Sequence, residues 1–121
     1  MTTRHVSHNI LIVEDEWLIA LDMEMVIKDL GHTVIGPAAN VAAALLLIER
    51  SEIDIAFLDI SLGSEQSYPL ADTLHDRKIP VTFLSAYTTM DLPSRFRDFD
   101  LLQKPVAAKD LSRQISKMLN T

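Results

Sequence analysis

The sequence predicts an α/β fold in which helices cover both faces of a parallel sheet. Short apolar runs rich in β-branched residues alternate along the chain with longer segments whose apolar residues recur at helical spacing. This alternation indicates parallel strands joined by right-handed crossovers. Several of the apolar runs also end on an acidic or hydroxyl residue, as expected where the carboxyl ends of strands form a ligand site.

The composition suits one compact domain. The chain has 121 residues, of which 48% are hydrophobic, enough for a modest core. We therefore interpret residues 1–121 as a single domain whose core spans about 9–119. No apolar stretch reaches the roughly 20 residues of a membrane span, and the N-terminus lacks a long apolar secretory segment. A cytoplasmic location is expected, without membrane contact.

Charge and residue counts exclude several kinds of site. With zero cysteines, disulfides and thiolate metal sites are ruled out, which fits a reducing compartment. The net charge of −6 and the absence of a basic cluster argue against nucleic acid as a partner. The histidines lack paired metal-ligand spacing, so we expect them to be solvated surface residues; they are His5, His8, His32 and His75.

The first half of the chain contains three predicted strands and two predicted helices. Strands are expected at 9–13, 33–35 and 53–58, and helices at 16–30 and 41–50. Gly31 supplies the stop of the first helix, and Asn40 can cap the second. The second strand is expected to close at Gly36-Pro37.

The second half of the chain is less regular. Helices are expected at 69–76 and 108–119, and strands at 80–84 and 100–102. The composition of residues 61–66 indicates a loop. Pro93 and mixed polarity argue against a regular helix between Tyr87 and Phe99, so the fourth helix is predicted to be short or irregular.

Polar residues follow four of the five predicted strands. Glu14 and Asp15 come after the first strand, and Asp59 ends the third. Ser85 and Lys104 follow the fourth and fifth strands. Because the carboxyl ends of parallel strands meet at one edge of the sheet, these side chains are expected to converge there.

Carboxylates gathered in this way predict a Mg²⁺ site with phosphoryl chemistry. Mg²⁺ prefers oxygen ligands, often one or two carboxylates together with water and phosphate oxygens. We expect Asp15 and Asp59 to bind it directly, Glu14 directly or through water, and Ser61 through its backbone carbonyl. Asp59 would attack a phosphorus atom and form an acyl phosphate.

Two further side chains are expected to hold the phosphoryl group. Lys104 would pair with one phosphoryl oxygen as a compact cation, and the Ser85 hydroxyl would donate to another. Taken singly, each residue has a simpler interpretation: Asp59 as a turn former, Glu14-Asp15-Glu16 as an acidic helix start, Ser85 as a loop hydroxyl. Their joint placement at four strand ends favours the phosphoryl site.

This set of residues resembles the receiver domain of two-component response regulators. The resemblance covers roughly residues 9–119 and rests on Glu14-Asp15, Asp59, Ser85 and Lys104-Pro105. It implies a flavodoxin-like, doubly wound (βα)5 fold with strand order 2-1-3-4-5. It also implies that Asp59 takes its phosphoryl group from a phosphohistidine on a histidine kinase or phosphotransfer protein, and that the peptide before Pro105 is cis.

A narrower resemblance concerns the end of the fourth strand. The run Phe83-Leu84-Ser85-Ala86-Tyr87 is similar to the Phe-Ala-Thr-Gly run that names the FATGUY group of alphaproteobacterial receivers. The run Ser67-Tyr68-Pro69 before it and Leu92-Pro93 after it extend the likeness. This chain departs from that run because Leu84 replaces Ala, Ser85 replaces Thr and Ala86 replaces Gly.

The fifth strand departs from the general receiver pattern. Many receivers carry Tyr or Phe three residues before the lysine, where this chain has Leu101. An aliphatic side chain offers no ring to swing inward, so we hypothesise that ordering of the Tyr87–Phe99 segment carries the switch instead. Tyr87 either covers the acyl phosphate and slows its hydrolysis, or simply packs on the loop.

An apolar strip on the first helix is a candidate partner contact. Trp17, Leu18 and Leu21 lie off the buried stripe and next to the acidic residues. They could dock a kinase helix or pack against a neighbouring segment of the chain. Trp17 and Leu18 are the predicted contacts, whereas burial is the favoured interpretation of Leu21.

We therefore interpret the chain as a phosphoacceptor that acts by binding an unknown downstream protein or by draining phosphoryl groups from a kinase. A receiver alone, monomeric or weakly dimeric, is expected, and not a turnover enzyme. One alternative is a non-phosphorylated interaction module. Another is a phosphohydrolase of the haloacid dehalogenase type, which needs a second acid where Ser61 stands. An FMN protein is disfavoured because Glu14-Asp15-Glu16 would repel its phosphate.

Overall fold

A five-stranded parallel sheet forms the centre of the computed structural model, which describes residues 6–86 and 92–119. The chain order is β1 (Asn9–Val13), α1 (Trp17–Asp29), β2 (Thr33–Ala38), α2 (Val41–Arg50), β3 (Ile55–Asp59), β4 (Ser61–Leu62), β5 (Glu65–Gln66), α3 (Tyr68–Asp76), β6 (Val81–Ser85), β7 (Asp100–Gln103) and α4 (Ala108–Leu119). The sheet order is β2-β1-β3-β6-β7, and every pair in it is parallel. This confirms the predicted α/β fold and its 2-1-3-4-5 strand order.

The central strands are buried on both faces because helices cover each side of the sheet. Residues 10–13 and 55–58 are almost completely inaccessible to solvent, as expected for strands with continuous apolar runs. Val13 pairs with Leu58 at the carboxyl ends of β1 and β3. The residues that follow these two therefore emerge side by side at one edge.

The sheet separates two hydrophobic cores. On one face, Ile12 and Phe57 pack with Met23 of α1 and Ile115 of α4. The opposite face is lined by alternate residues of the same strands, which pack with α2 and α3; the largest buried members of this core are Phe83, Phe96, Leu11, Leu58, Ile48 and Leu70. The alternation follows from the two-residue period of a strand.

Two sequence predictions about local structure were wrong. The second strand continues through Gly36-Pro37 to Ala38, because β2 carries one extra residue there: Ile35 pairs with Leu11 and Ala38 with Val13, so Gly36 and Pro37 together lie opposite a single residue of β1. The predicted loop at 61–66 is an antiparallel hairpin of β4 and β5. Gly63, with φ of 68°, provides the left-handed residue that this tight connection requires.

The helix boundaries follow the sequence signals closely. The Asn40 side chain accepts a hydrogen bond of 2.8 Å from the Ala43 N–H and caps α2, as predicted. Gly31 follows α1 with φ of 88°, which confirms its role as the stop. β1, α2 and α4 have the predicted bounds, and apart from β2 the other predicted helices and strands differ from the observed ones by one or two residues at an end.

Residues 92–99 contain a single turn of 3-10 helix, Ser94–Phe96. This agrees with the irregular segment predicted there, while residues 87–91 lie outside the described part of the chain. Across the described residues, no helix has the length and apolar character needed to cross a membrane.

The histidines differ partly from the prediction. His75 is exposed, but His8 and His32 are half-buried, with ring centroids 5.4 Å apart. The His8 N–H donates to His32 Nδ1 at 3.1 Å. Pairing of β1 with β2 causes this contact, because it places the residues that precede both strands side by side. His5 lies outside the described residues.

Candidate functional site

The acidic residues predicted for the site come together at the carboxyl edge of the sheet. Glu14 follows β1 and Asp59 ends β3, and both are buried, whereas Asp15 is exposed. These three and Glu16 each offer a carboxylate oxygen within 4.8 Å of the others. Four carboxylates at this distance repel one another unless a cation lies among them.

Lys104 supplies a positive charge to this cluster. Its Nζ lies 2.7 Å from Asp59 Oδ2 and donates to Glu14 Oε2 at 3.3 Å. The Lys104 N–H also donates to the Ser85 carbonyl at 2.7 Å, which fixes the residue after β7 against the end of β6. The Lys104-Pro105 peptide is cis, as the resemblance implied.

Glu16 belongs to the site, although the sequence reasoning treated it only as part of a helix start. Its Oε1 lies 2.7 Å from Lys104 Nζ. Glu16 occupies the N-cap position of α1 without a side-chain capping bond. The available signal was the run Glu14-Asp15-Glu16, since a third acid beside two ligands suggests a charge partner. The lysine that it contacts is 88 residues away.

Burial and neighbouring charges shift the pKa values of Glu14 and Lys104. Desolvation, followed by the hydrogen bond and charge of Asp59, raises the pKa of Glu14 to about 8. Burial disfavours the charge on Lys104, but the hydrogen bonds to Asp59 and Glu16 outweigh it and hold the pKa of Lys104 well above its usual value. Lys104 therefore remains a cation at neutral pH.

A cavity of about 350 Å³ opens in front of Asp59. It is lined by Asp15, Glu16, Ser61, Ser85 and Lys104, among others. A volume equal to roughly ten waters can hold a hydrated ion together with a phosphoryl group. Each sequence-predicted phosphoryl contact therefore lines the same space as the predicted nucleophile.

The loop after β3 is anchored on Asp59 itself. The Ser61 N–H donates to Asp59 Oδ1 at 3.2 Å. This bond holds Ser61 at the rim of the cavity, beside the acids. The role predicted for its carbonyl, as a metal ligand, stays a prediction.

Of the two residues predicted to modulate the lifetime of the phosphoryl group or the switch, Tyr87 and Leu101, only Leu101 lies in the described part of the chain. Tyr87 lies outside the described residues. Leu101 is half-buried in β7 and packs against the core that contains Phe83 and Phe96. An aromatic cluster lies in this part of the core: Tyr68 stacks on Phe96 with centroids 5.4 Å apart, and Phe96 meets Phe83 edge-on at 5.4 Å.

The outer face of α1 is an apolar surface beside the acidic cluster. Trp17 is 71% exposed, Leu18 58% and Leu21 43%. The expectation that Leu21 is buried against a neighbouring segment was wrong, because no described element packs over this face. Trp17, Leu21 and the exposed Met25 recur every four residues and, together with the neighbouring Leu18, form one strip, the α1 strip. A groove of about 310 Å³ runs from this strip to Glu14, Asp15 and Pro37.

The fold and the strand-end site together define a known class of protein. The chain belongs to the response regulator receiver domain family, whose family model matches residues 10–116. This family assignment was predicted from the sequence and is confirmed.

The chain is similar in sequence and in fold to several individual proteins. The solution structure of SdrG from Sphingomonas melonis Fr1 has a TM-score of 0.82 and 39% identity, covering 93% of this chain and 97% of that one. PhyR from Brucella abortus has a TM-score of 0.81 and 33% identity, covering 96% of this chain and 49% of that one. The phyllosphere-induced regulator PhyR of Methylorubrum extorquens is 34% identical over 91% of this chain and 43% of its own length.

A more distant relative is the transcriptional regulatory protein PdtaR of Mycobacterium tuberculosis. It is 29% identical over 88% of this chain and 54% of its own length. The chain thus spans about half the length of the two curated relatives, PhyR of Methylorubrum extorquens and PdtaR.

Proposed function

We propose that this chain is a phosphoacceptor whose Asp59 takes a phosphoryl group from a phosphohistidine in the presence of Mg²⁺. The observation that carries the proposal is the ion pair of 2.7 Å between Asp59 and the buried Lys104, set among three further carboxylates, of which Asp15 and Glu16 line the same cavity. No turnover of a small-molecule substrate is part of this proposal.

The donor set fits a hard divalent cation. Glu14 Oε1 is buried without a hydrogen bond, although Lys104 Nζ lies 3.2 Å away. Because burial raises the pKa of Glu14 to about 8, a divalent cation bound beside it would be needed to hold it in its ionised, ligating form at neutral pH. Asp15 and Asp59 would hold Mg²⁺ directly, Glu14 directly or through water, and Ser61 through its carbonyl. The bound ion would neutralise charge on the transferring phosphoryl oxygens.

The proposed reaction is a single displacement at phosphorus. One oxygen of the Asp59 carboxylate forms a bond to phosphorus, and the phosphorus–nitrogen bond of the donor phosphohistidine breaks. The donor phosphohistidine reacts with a proton on its other ring nitrogen, so the imidazole nitrogen that keeps the electron pair of the broken bond leaves as part of a neutral histidine. Lys104 then pairs with one phosphoryl oxygen and Ser85 donates to another, because both line the cavity beside Asp59.

The donor is proposed to dock on the α1 strip, with Trp17 and Leu18 as its main contacts. A kinase or phosphotransfer protein must bring its phosphohistidine to the open side of the cavity. The strip is apolar, exposed and joined to the acidic cluster by the groove along Pro37. An amphipathic helix of the donor can lie there with its apolar face on Trp17.

Phosphorylation is proposed to change the binding of a downstream protein through the region between β6 and β7. The Bartonella quintana PhyR, 29% identical, is an anti-anti-sigma factor and so acts on another protein. In this chain Arg95 forms a two-pronged ion pair with Asp72 of α3, at 2.9 and 3.0 Å. This ion pair therefore holds the segment after residue 92 against α3, and breaking it would release the segment. Identical backbone amide shifts at residues 87–99 in free and phosphorylated protein would exclude this readout.

The decisive test is chemical labelling of Asp59. The protein is incubated with acetyl phosphate and Mg²⁺, and a base-labile mass gain of one phosphoryl group is expected. Asp59→Asn should abolish the gain, while the exposed control Asp98→Asn should keep it, and removal of Mg²⁺ by chelation should prevent it. No gain in the wild type, or an equal gain in Asp59→Asn, would refute the proposal and favour a non-phosphorylated interaction module.

Docking is tested separately with a phosphotransfer protein that labels the wild-type chain. Trp17→Ala and Leu18→Ala are expected to slow transfer from that protein about tenfold or more, as for truncated interface anchors. Labelling by acetyl phosphate should be unchanged, because the small donor does not use the strip. Leu46→Ala is the matched control, since Leu46 is an exposed apolar residue on α2, 49% accessible.

A further inference from the structure

Lys104 is the one cation of the site within the described residues, and Glu16 contacts it from the solvent side. The side chain of Lys104 is only 7% exposed, whereas that of Glu16 is 58% exposed. Nζ lies 2.7 Å from both Asp59 Oδ2 and Glu16 Oε1. Lys104 is therefore held between the proposed nucleophile on the inner side and Glu16 at the mouth of the cavity.

The geometry of an ammonium group decides what this second contact can do. An ammonium has three N–H donors, and here they face Asp59, Glu14 and Glu16. When Asp59 becomes an acyl phosphate, its carboxylate charge is lost and the phosphoryl oxygens become the new acceptors. The contact with Glu16 does not involve Asp59, so it persists through this exchange.

We propose that Glu16 is a positioning residue that holds the Lys104 ammonium in place for the phosphoryl group on Asp59. This inference rests on the proposed function of Asp59 and adds a partner for its lysine. Glu16 itself does not touch the phosphorus or the reacting oxygens. It acts through Lys104, whose other contact that does not involve Asp59, the one to Glu14 Oε2, is longer at 3.3 Å.

Electrostatic repulsion between Glu16 and the phosphoryl group opposes this positioning effect. The carboxylate of Glu16 repels an incoming phosphoryl dianion, so its removal would on this ground strengthen binding. That repulsion acts across the half-exposed mouth of the cavity, where solvent and salt screen it. The bond to Lys104 is direct and charge-assisted, a class about twice as strong as neutral hydrogen bonds. The positioning effect is therefore expected to dominate, and the two effects predict opposite signs.

The test uses beryllofluoride, a stable mimic of the phosphoryl group, at saturating Mg²⁺. Glu16→Ala should weaken the binding of beryllofluoride about tenfold, in line with the loss of one charge-assisted contact. Glu16→Gln keeps an acceptor oxygen for Lys104 and should recover part of that loss. Asp22→Ala is the matched control, because it removes an exposed negative charge from the same helix.

Two readouts separate positioning from a structural role. The urea midpoint of Glu16→Ala should match that of Asp22→Ala. The Lys104 side-chain ammonium resonance is expected to be visible in the wild type bound to beryllofluoride, to broaden or disappear in Glu16→Ala, and to return in Glu16→Gln. Unchanged or tighter binding in Glu16→Ala would overturn the inference, tighter binding being the sign of a purely repulsive role. If the wild type itself neither binds beryllofluoride nor becomes labelled, the proposed function fails instead.

Discussion

The Gln114 side-chain amide donates a hydrogen bond of 2.8 Å to Thr82 Oγ1, and so joins the last helix to the middle of β6. Both residues are buried. The same amide donates to Asp100 Oδ2 at 2.8 Å, and the Thr82 hydroxyl donates to Met118 Sδ at 3.2 Å. Within an otherwise apolar interface, this network fixes the position of α4 on β6 and β7.

Replacement of Gln114 by Leu is expected to destabilise the fold. The substitution preserves approximate side-chain size but removes both amide hydrogen bonds, which leaves the Thr82 oxygen with one acceptor site unfilled inside the interface. A loss of about 1–3 kcal/mol in the free energy of unfolding is expected, the cost of a buried polar group without its partner. Urea unfolding measures it. The control Ser116→Ala, at an exposed position of α4, should change the value by less than about 0.5 kcal/mol.

The ionisation of Asp100 makes the contribution of this network to protein stability depend on pH. The hydrogen bond from Gln114, helped by the nearby Lys117 ammonium, holds the pKa of Asp100 below its usual value. Because the folded pKa is lower than the unfolded one, the ionised carboxylate stabilises the protein above the unfolded pKa. That contribution is lost as the pH falls through the folded pKa.

We therefore expect the carboxyl carbon of Asp100 to report a pKa below that of an unperturbed aspartate. In Gln114→Leu the midpoint should move upward, toward that value, since the leading cause has been removed. Carbon-detected NMR titration measures both midpoints. Equal midpoints in the two proteins would show that the hydrogen bond does not set the pKa of Asp100.

Two glycines with positive φ provide a matched pair of substitutions. Gly63 has φ of 68°, and no described neighbour lies within 4 Å of the position that a Cβ would take, so Gly63→Ala should cost only the backbone strain, about 1 kcal/mol. Gly36 has φ of 101°, and a Cβ there would lie 2.8 Å from the Ala38 nitrogen and 2.9 Å from the Ile12 oxygen. Gly36→Ala should therefore lose about 1–3 kcal/mol more than Gly63→Ala. Thermal or urea unfolding of both variants decides it, and equal losses would contradict the close approach at Gly36.

The N-terminus of α2 is capped from two directions. Asn40 accepts from the Ala43 N–H, and Glu65 in the hairpin accepts from the Val41 N–H at 3.0 Å. Asn40→Ala should destabilise the protein by about 1 kcal/mol, while Asn40→Asp, which keeps the acceptor, should be nearly neutral. Chemical unfolding compares the two. A loss of equal size in Asn40→Asp would mean that the cap is not the cause.

Local signals were sufficient for most of the fold. The cap at Asn40, the stop at Gly31 and the helical period of α1 depend on residues within a few positions of each other, and the structure has them as predicted. The hairpin at 61–66 escaped prediction because two-residue strands leave no periodic pattern. The extension of β2 through Gly36-Pro37 escaped it because glycine and proline usually end a strand, and the bulge that lets β2 continue through them is defined only by its pairing with β1.

Some residues of the site could also be predicted from local sequence, whereas others required the folded structure. The amino-acid sequence was enough for the α/β class, for the strand order through the family resemblance, and for the set Glu14, Asp15, Asp59, Ser85 and Lys104. This was possible because strand ends are visible locally and parallel topology brings them to one edge. The folded chain was needed to place Glu16 against Lys104, Gln114 against Thr82, and Leu21 at the surface. Each of these depends on side chains that are distant in sequence, or on whether another element packs over a helix face, and neither is written in a local pattern.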